Sequence, residues 1–372
     1  MRGRALITGG AGFIGSHLAD ELIRSGYRVR VFDCLASQVH GPAPGRPSYL
    51  DPRVELCVGD VRERGALANA LDGVDFVFHF AAAVGVGQSM YEISRYTSIN
   101  NLGTATLLEE CAEREIERLV VASSMSIYGE GLYRNAAGEV CVAADRSPDQ
   151  LRAGQWEPRS ADGSALTPIP TPESKPPSLA SVYALSKFDQ ERMCLMLGRA
   201  YGLPAVALRF FNTYGPRQAL SNPYTGVLAI FASRLLNGNP PIIFEDGLQQ
   251  RDFVHVRDVA RACRLALESE DAPGAAFNIG SGRAISVLEV AQKIAKVLGA
   301  SRVRPEITHK YRVGDVRHCF ADISRARQVL GYEPSTSFSD GLRELARWLR
   351  GQMPRDRVVE AKAELEARGL TV

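Results

Sequence analysis

Thr8-Gly9-Gly10-Ala11-Gly12-Phe13-Ile14-Gly15 follows a short apolar run, Ala5-Leu6-Ile7, and opens a helical pattern that continues through Ser16–Arg24. Glycines alone would read as a tight turn. Between a strand and a helix, Gly10-x-Gly12-x-x-Gly15 lets the backbone, with Gly9, Phe13 and Ile14 around it, approach a pyrophosphate at the positive helix end. Asp33 ends the next β-like run, Arg28–Phe32, eighteen residues after Gly15. A carboxylate there accepts hydrogen bonds from an adenosine ribose and repels a 2′-phosphate, so the expected cofactor is NAD rather than NADP.

The same alternation continues outward. Further β-like runs at Val54–Val58, Phe76–Phe80 and Arg118–Ser123 are separated by helical stretches such as Thr104–Glu115. Strands alternating with helices predict βαβ units. Right-handed crossovers make these an α/β, Rossmann-type, doubly wound parallel sheet, with ligands at the C-terminal strand ends. Asp60, after the third run, suits either the adenine amine or a helix cap. From about 132 to 178 the chain is rich in Pro, Ser, Gly and Asp, contains Trp156, and holds no sustained period. A loop that long inside a compact fold is functional or disordered.

The 372 residues exceed what one core usually organises, which predicts two lobes around one site. Lysine and arginine number 44 against 42 acidic residues, so no broad basic face is expected and nucleic acid is not an expected partner. No apolar run approaches the about 18 residues that span a bilayer, and the N-terminus lacks a secretory pattern, which predicts a cytoplasmic protein. Seven scattered cysteines and six histidines without paired spacing predict reduced thiols and no metal site. Glu360–Arg368 reads as a charged surface helix.

Helical order resumes near Ser181, and Tyr183 and Lys187 are spaced to share one helix face. A phenol titrates near 10 and is a poor base at neutral pH. A neighbouring ammonium and a cationic nicotinamide would lower it, making Tyr183 the expected base with Lys187 beside it. Ser124, closing the run Val120–Ser124, would face the same cleft and hydrogen-bond the reacting hydroxyl.

With these motifs, the chain resembles the extended short-chain dehydrogenase/reductases of the NAD-dependent sugar-nucleotide epimerase/dehydratase family. Matching segments are Thr8–Gly15, Asp60-Val61, Ala81-Ala82, Asn100-x-x-Gly103-Thr104, Ser123-Ser124 with Tyr128-Gly129, and Tyr183-x-x-x-Lys187. Arg209–Arg217 and Arg251–Asp258 complete the pattern. The resemblance implies that Asp60, Val61, Ala81, Ala82 and Asn100 join the cofactor site. It also implies that Asn212 and Arg251 hold the diphosphate of a nucleotide-linked sugar, that Arg312 and Asp315 serve the nucleotide pocket, and that Ser124 and Ser126 meet the substrate. Arginine forks suit diphosphate oxygens. His255 is expected to be structural. The organisation expected is an NAD-binding domain over 1–209 carrying the insert at about 132–178. Residues 210–372 would form mainly a smaller mixed α/β substrate lobe, with about 248–275 returning to the first domain. A homodimer through Met90–Glu115 and Ser181–Tyr201 is also implied.

Dehydratases of the family carry an Asp-Glu pair where this chain has Met125 and Ser126, and the decarboxylating branch carries Glu at the Ser126 position. Neither Met nor Ser supplies a proton at neutral pH, so elimination and decarboxylation are disfavoured and 4-epimerisation is expected. Val84–Ile93, together with Leu151–Glu157, resembles dTDP-L-rhamnose 4-epimerases, which interconvert dTDP-L-rhamnose and dTDP-6-deoxy-L-talose. The alternatives are a UDP-hexose or UDP-N-acetylhexosamine 4-epimerase, a nucleotide-sugar reductase or dehydrogenase, and a non-catalytic NAD-binding sensor. The insert is expected to be a lid, with Trp156 or Leu151 covering the sugar.

Overall fold

The computed structural model describes residues 2–371 except 43–44, 161, 221, 223, 225, 313–314, 353–355 and 357. The first five strands are β1 (Arg4–Thr8), β2 (Arg28–Asp33), β3 (Glu55–Val58), β4 (Phe76–His79) and β5 (Arg118–Ser124). An insert adds β6 (Leu132–Arg134), β7 (Val140–Val142) and β8 (Thr167–Ile169). Then follow β9 (Ala205–Phe210), β10 (Asn212–Tyr214), β11 (Ile242–Ile243) and β12 (Gln250–His255). The chain continues through β13 (Ala276–Ile279), β14 (Ala284–Ser286), β15 (Glu306–Ile307) and β16 (His318–Cys319).

Seven of these build one sheet in the order β13-β9-β5-β4-β1-β2-β3, and every pairing is parallel. The order reverses between β1 and β4, where crossovers diverge to opposite faces and leave a crevice at the strand ends. Alternate residues divide between the two covering layers. Ala5, Ile7, Val120 and Ala122 pack with Leu18 and Leu22 of the helix Phe13–Arg24 and with Val259 and Cys263 of the helix Val256–Glu268. Leu6, Leu119 and Val121 face Leu107, Cys194 and Leu195 instead. Burial on both faces explains why these strands read as continuous apolar runs.

A second core, with Phe231, Val290, Ile294, Leu342 and Leu345, lies after residue 210. There β12 pairs parallel with β10 and β16 and antiparallel with β14, a mixed sheet. Later segments join the first layer: the helix Val256–Glu268, and, beyond the 248–275 range expected to return, β13 and the helix Ser324–Leu330, whose Ala326 and Leu330 pack into the same core.

The insert differs most from expectation. Its strands form a three-stranded antiparallel sheet in the order β7-β6-β8, joined by the short helix Pro148–Arg152. Strands of three residues are too short to register as a period. The expected continuous helix from Met90 is also interrupted, because Thr97–Leu102 forms a π-helical turn before Gly103–Ala112. All seven cysteines are free. No described helix is long and apolar enough to cross a membrane, and no described cluster of His, Cys, Asp or Glu suits a metal ion.

Candidate active site

The crevice opens into a cleft of about 420 Å³ that runs from the glycine turn to Asn212. Gly9 adopts φ +69°, a conformation that favours glycine, and an added Cβ would stand 2.8 Å from the Ala81 nitrogen. A Cβ on Gly15 would stand 2.5 Å from the Gly10 Cα, so turn and helix touch backbone to backbone. Gly12 caps the helix with no side-chain acceptor, leaving its first-turn N–H groups without a side-chain cap. Asp33 Oδ2 accepts from Ala11 N at 3.0 Å and Oδ1 from Leu35 N at 2.9 Å, which aims the carboxylate beside the turn. An uncapped helix end for a pyrophosphate and a fixed carboxylate for a ribose are the donor and acceptor set that NAD needs.

Gly9, Gly12, Phe13, Ile14, Gly15, Asp33, Asp60, Val61, Ala81 and Ala82 all line the cleft. Asp60 is paired with Arg62 through Nε at 2.9 Å and Nη2 at 2.6 Å, and it also accepts the Arg62 N–H. Asn100 is buried behind the wall. Its Oδ1 accepts from Ala83 N at 2.7 Å, and its Nδ2 donates to the Ala83 carbonyl and to Ser186 Oγ. Its amide is thus consumed in holding the wall, on the π-helical turn.

Ser124, Tyr183 and Lys187 converge on the cleft from the end of β5 and from the helix Val182–Tyr201. Ser181 caps that helix, its Oγ accepting from Ala184 N at 3.1 Å, and the Tyr183 N–H donates to Ser89 Oγ at 3.0 Å. Ser124 Oγ accepts from Ser126 Oγ at 2.9 Å and Ser126 N at 3.2 Å, so its own proton is left to point into the cleft. Ser126 itself does not line the cleft; it acts behind Ser124. Burial pushes the Tyr183 phenol up, and the Ser124 side chain opposes that shift. The expected lowering by Lys187 is not seen. Its ammonium donates to Gln190 Oε1 at 2.7 Å, and burial lowers it to about 8.

Sequence reasoning missed what stands behind Lys187. Thr8 Oγ1 accepts from the N–H groups of Phe80 and Ala81, so its proton goes to His79 Nδ1 at 2.8 Å. His79 is therefore neutral with its proton on Nε2, facing Thr104 Oγ1 at 2.8 Å. Burial and Lys187 hold its pKa down at about 3. Gln190 Nε2 donates to the same Thr104 oxygen at 2.7 Å and offers its carbonyl to Lys187. A lone histidine at a strand end carries no spacing signal that would have revealed this chain.

Substrate residues divide. Asn212 lines the cleft, and its buried Oδ1 has no partner among the described residues. Arg251, Arg312 and Asp315 do not line it. They cluster together, with Arg312 paired to Asp315 at 2.8 Å and stacked 4.7 Å from the Phe244 ring centroid, and Arg251 3.8 Å from Asp315. Val313 and Gly314 lie outside the described residues. Arg251 donates to the carbonyls of Gln250, Val316 and Arg317, which leaves two of its five N–H groups without a hydrogen bond among the described residues, with Asp315 Oδ1 3.8 Å from Nη2. His255 caps its helix through Nδ1 and packs edge-on to Tyr214, a structural place. No described residue of 132–178 lines the cleft, Trp156 and Leu151 included; the insert instead reaches the neighbouring substrate segment, where Arg146 donates to the Asp315 carbonyl at 3.0 Å.

The model of the NAD dependent epimerase/dehydratase family matches residues 5–148 and 160–280. The chain is 37% identical to a dTDP-L-rhamnose 4-epimerase of Burkholderia thailandensis, over 95% of this chain and 96% of that protein. It is similar to the crystal structure of a UDP-glucose 4-epimerase with UDP-glucose from Thermotoga maritima, with a TM-score of 0.76 and 32% identity over 93% of this chain and 98% of the other. A UDP-glucose 4-epimerase of Thermus thermophilus in complex with NAD matches with a TM-score of 0.73 and 30% identity, covering 94% and 99%.

Proposed function

The chain belongs to the NAD-dependent epimerase/dehydratase family, and from that premise we propose that it inverts C4 of a nucleotide-linked sugar, dTDP-L-rhamnose to dTDP-6-deoxy-L-talose. It is an enzyme, an NAD-dependent nucleotide-sugar 4-epimerase. The observation that carries the reaction type is the convergence of Ser124, Tyr183 and Lys187 on one cleft, with Met125 and Ser126 where an eliminating enzyme needs an acid.

NAD held by the glycine turn and Asp33 supplies a reversible hydride acceptor. The chain's own residues manage the proton and the pose. Tyr183 takes the proton of the C4 hydroxyl, and the Ser124 proton hydrogen-bonds the same oxygen, steadying the carbonyl that forms. Tyr183 then returns the proton to the oxygen on the inverted carbon. The remaining donors of Arg251 and Arg312 anchor the diphosphate, about which the sugar turns, while the Asn212 oxygen, an acceptor, is open to a hydroxyl or N–H of the bound ligand. Anchoring at a distance leaves the ring free to present either face.

The similarity to the Burkholderia protein supports the deoxysugar, and the similarity to the Thermotoga structure supports a UDP-hexose as the second reading. Incubating purified protein with dTDP-L-rhamnose, UDP-glucose and UDP-N-acetylglucosamine, and reading C4 configuration by NMR, decides between them. Inversion of dTDP-L-rhamnose is expected. Inversion of the UDP sugars alone moves the assignment to the second reading, and no inversion at all removes the epimerase reading.

A further inference from the structure

Arg317 is a fully buried guanidinium, and all five of its N–H groups are taken by carboxylates. Nε and Nη2 donate to Glu157 at 2.9 and 2.5 Å, Nη1 to Glu245 at 2.9 Å, and Nη1 and Nη2 to Asp246 at 2.7 and 3.0 Å. Glu157 also accepts from His318 Nε2 at 2.8 Å, while His318 Nδ1 accepts the Gln250 N–H at 3.1 Å. Glu130, just ahead of β6, grips the neighbouring backbone. Its two oxygens accept from the N–H groups of Arg317 and His318 at 2.8 and 2.6 Å, and Tyr133 braces it. Arg146 of the insert reaches Glu245 at 2.8 Å and the Asp315 carbonyl at 3.0 Å. Glu245 meanwhile adopts φ +55°, a strained conformation for a side chain of its size.

Apart from the Tyr133–Glu130 and Arg146–Glu245 contacts, these bonds end on the stretch that orients Arg251. The carbonyls of Val316 and Arg317 hold its guanidinium, and Gln250, pinned by His318, precedes it. Glu157 falls in residues 149–159, between the two stretches that match the family model, so the contact is additional to that pattern. Buried ion networks are a poor source of stability, because desolvation offsets most of their attraction. What they add over apolar packing is direction.

We propose that Glu130 and Glu157 are positioning residues for substrate binding: they brace residues 315–318 so that Arg251 presents its two remaining donors to a nucleoside diphosphate. The proposal rests on the reading of Arg251 as a diphosphate ligand given above.

The test uses the NAD-loaded enzyme and compares Glu157→Gln, Glu130→Gln, Arg251→Ala and each double variant. Binding of dTDP and of UDP is measured by calorimetry, with KM and kcat for the sugar inverted in the NMR assay. Thermal unfolding confirms that each variant is folded. Each Gln variant is expected to weaken nucleoside diphosphate binding about tenfold, the scale of one charge-assisted hydrogen bond. KM should rise more than kcat falls, with NAD content unchanged. Added to Arg251→Ala, either Gln change should cost nothing more, since both act through one guanidinium. Parent-strength binding in both Gln variants, or penalties that add in full to that of Arg251→Ala, overturns the brace while leaving the diphosphate reading standing. Parent-strength binding by Arg251→Ala itself overturns that reading, and the brace falls with it.

Discussion

Tyr183 carries the heaviest demand of any single residue, because burial pushes its phenol up while its task requires a phenolate. Tyr183→Phe retains the ring and the helix but removes the base. Turnover in the NMR assay should fall about 10²- to 10⁴-fold with NAD still bound; near-parent turnover would assign the proton to another group. Lys187 adds a pH signature. A lysine is charged below its pKa, and burial brings this one to about 8, so its ammonium disappears as pH rises through 8. NAD affinity, followed by fluorescence titration, should decline on that limb and stay flat there in Lys187→Met. The spacing of Tyr183 and Lys187 and the strand end at Ser124 were legible because helix and strand periods place side chains. His79, Thr104 and Gln190 were not, because their meeting depends on β4 and two helices converging in space.

Among elements, the β1 turn and the helix after it were the most legible, since glycine is the one residue whose absence of a side chain is itself a signal. Gly15 tests that reading. Its Cβ would stand 2.5 Å from the Gly10 Cα and 2.6 Å from the Gly9 oxygen, both backbone atoms that cannot swing aside. Gly15→Ala should therefore displace the turn, lowering the NAD recovered with the purified protein and destabilising it by about 1–3 kcal/mol, the usual cost of overpacking. Full NAD content in a variant of unchanged stability would refute this account. The insert was illegible for the opposite reason. Leu132–Arg134, Val140–Val142 and Thr167–Ile169 are each too brief to show alternation, and what fixes them is partners elsewhere in the chain. Thr171 Oγ1 takes the Leu132 N–H, and Glu173 takes that of Asn278 in β13. Such long-range pairings leave no trace in local sequence.

At the scale of the whole molecule, Tyr183 and the glycine turn line one cleft at the strand ends, while Arg251 and Arg312, the proposed anchors, stand outside its lining. The arrangement separates anchoring from chemistry. A sugar held by its distant nucleotide can turn over without leaving, so the hydrogen removed from C4 has no route to bulk water between removal and return. Turnover of the accepted nucleotide sugar in D₂O should consequently give a C4-inverted product with no deuterium on any ring carbon, read by NMR and mass spectrometry. A route through an enol would instead exchange the hydrogen at C3 or C5, because the carbon next to a carbonyl gives its proton to a base that solvent reprotonates. Tyr183 stands at the cleft with Ser124 as the proposed base for oxygen, whereas carbon deprotonation would require a second base beside C3 or C5. Deuterium at C3 or C5 would place that second base in the cleft and add enolisation of the C4 ketone to the reaction; deuterium at C4 itself would overturn hydride return, and its absence, with C4 inverted, leaves hydride return within one complex as the chemistry the fold performs.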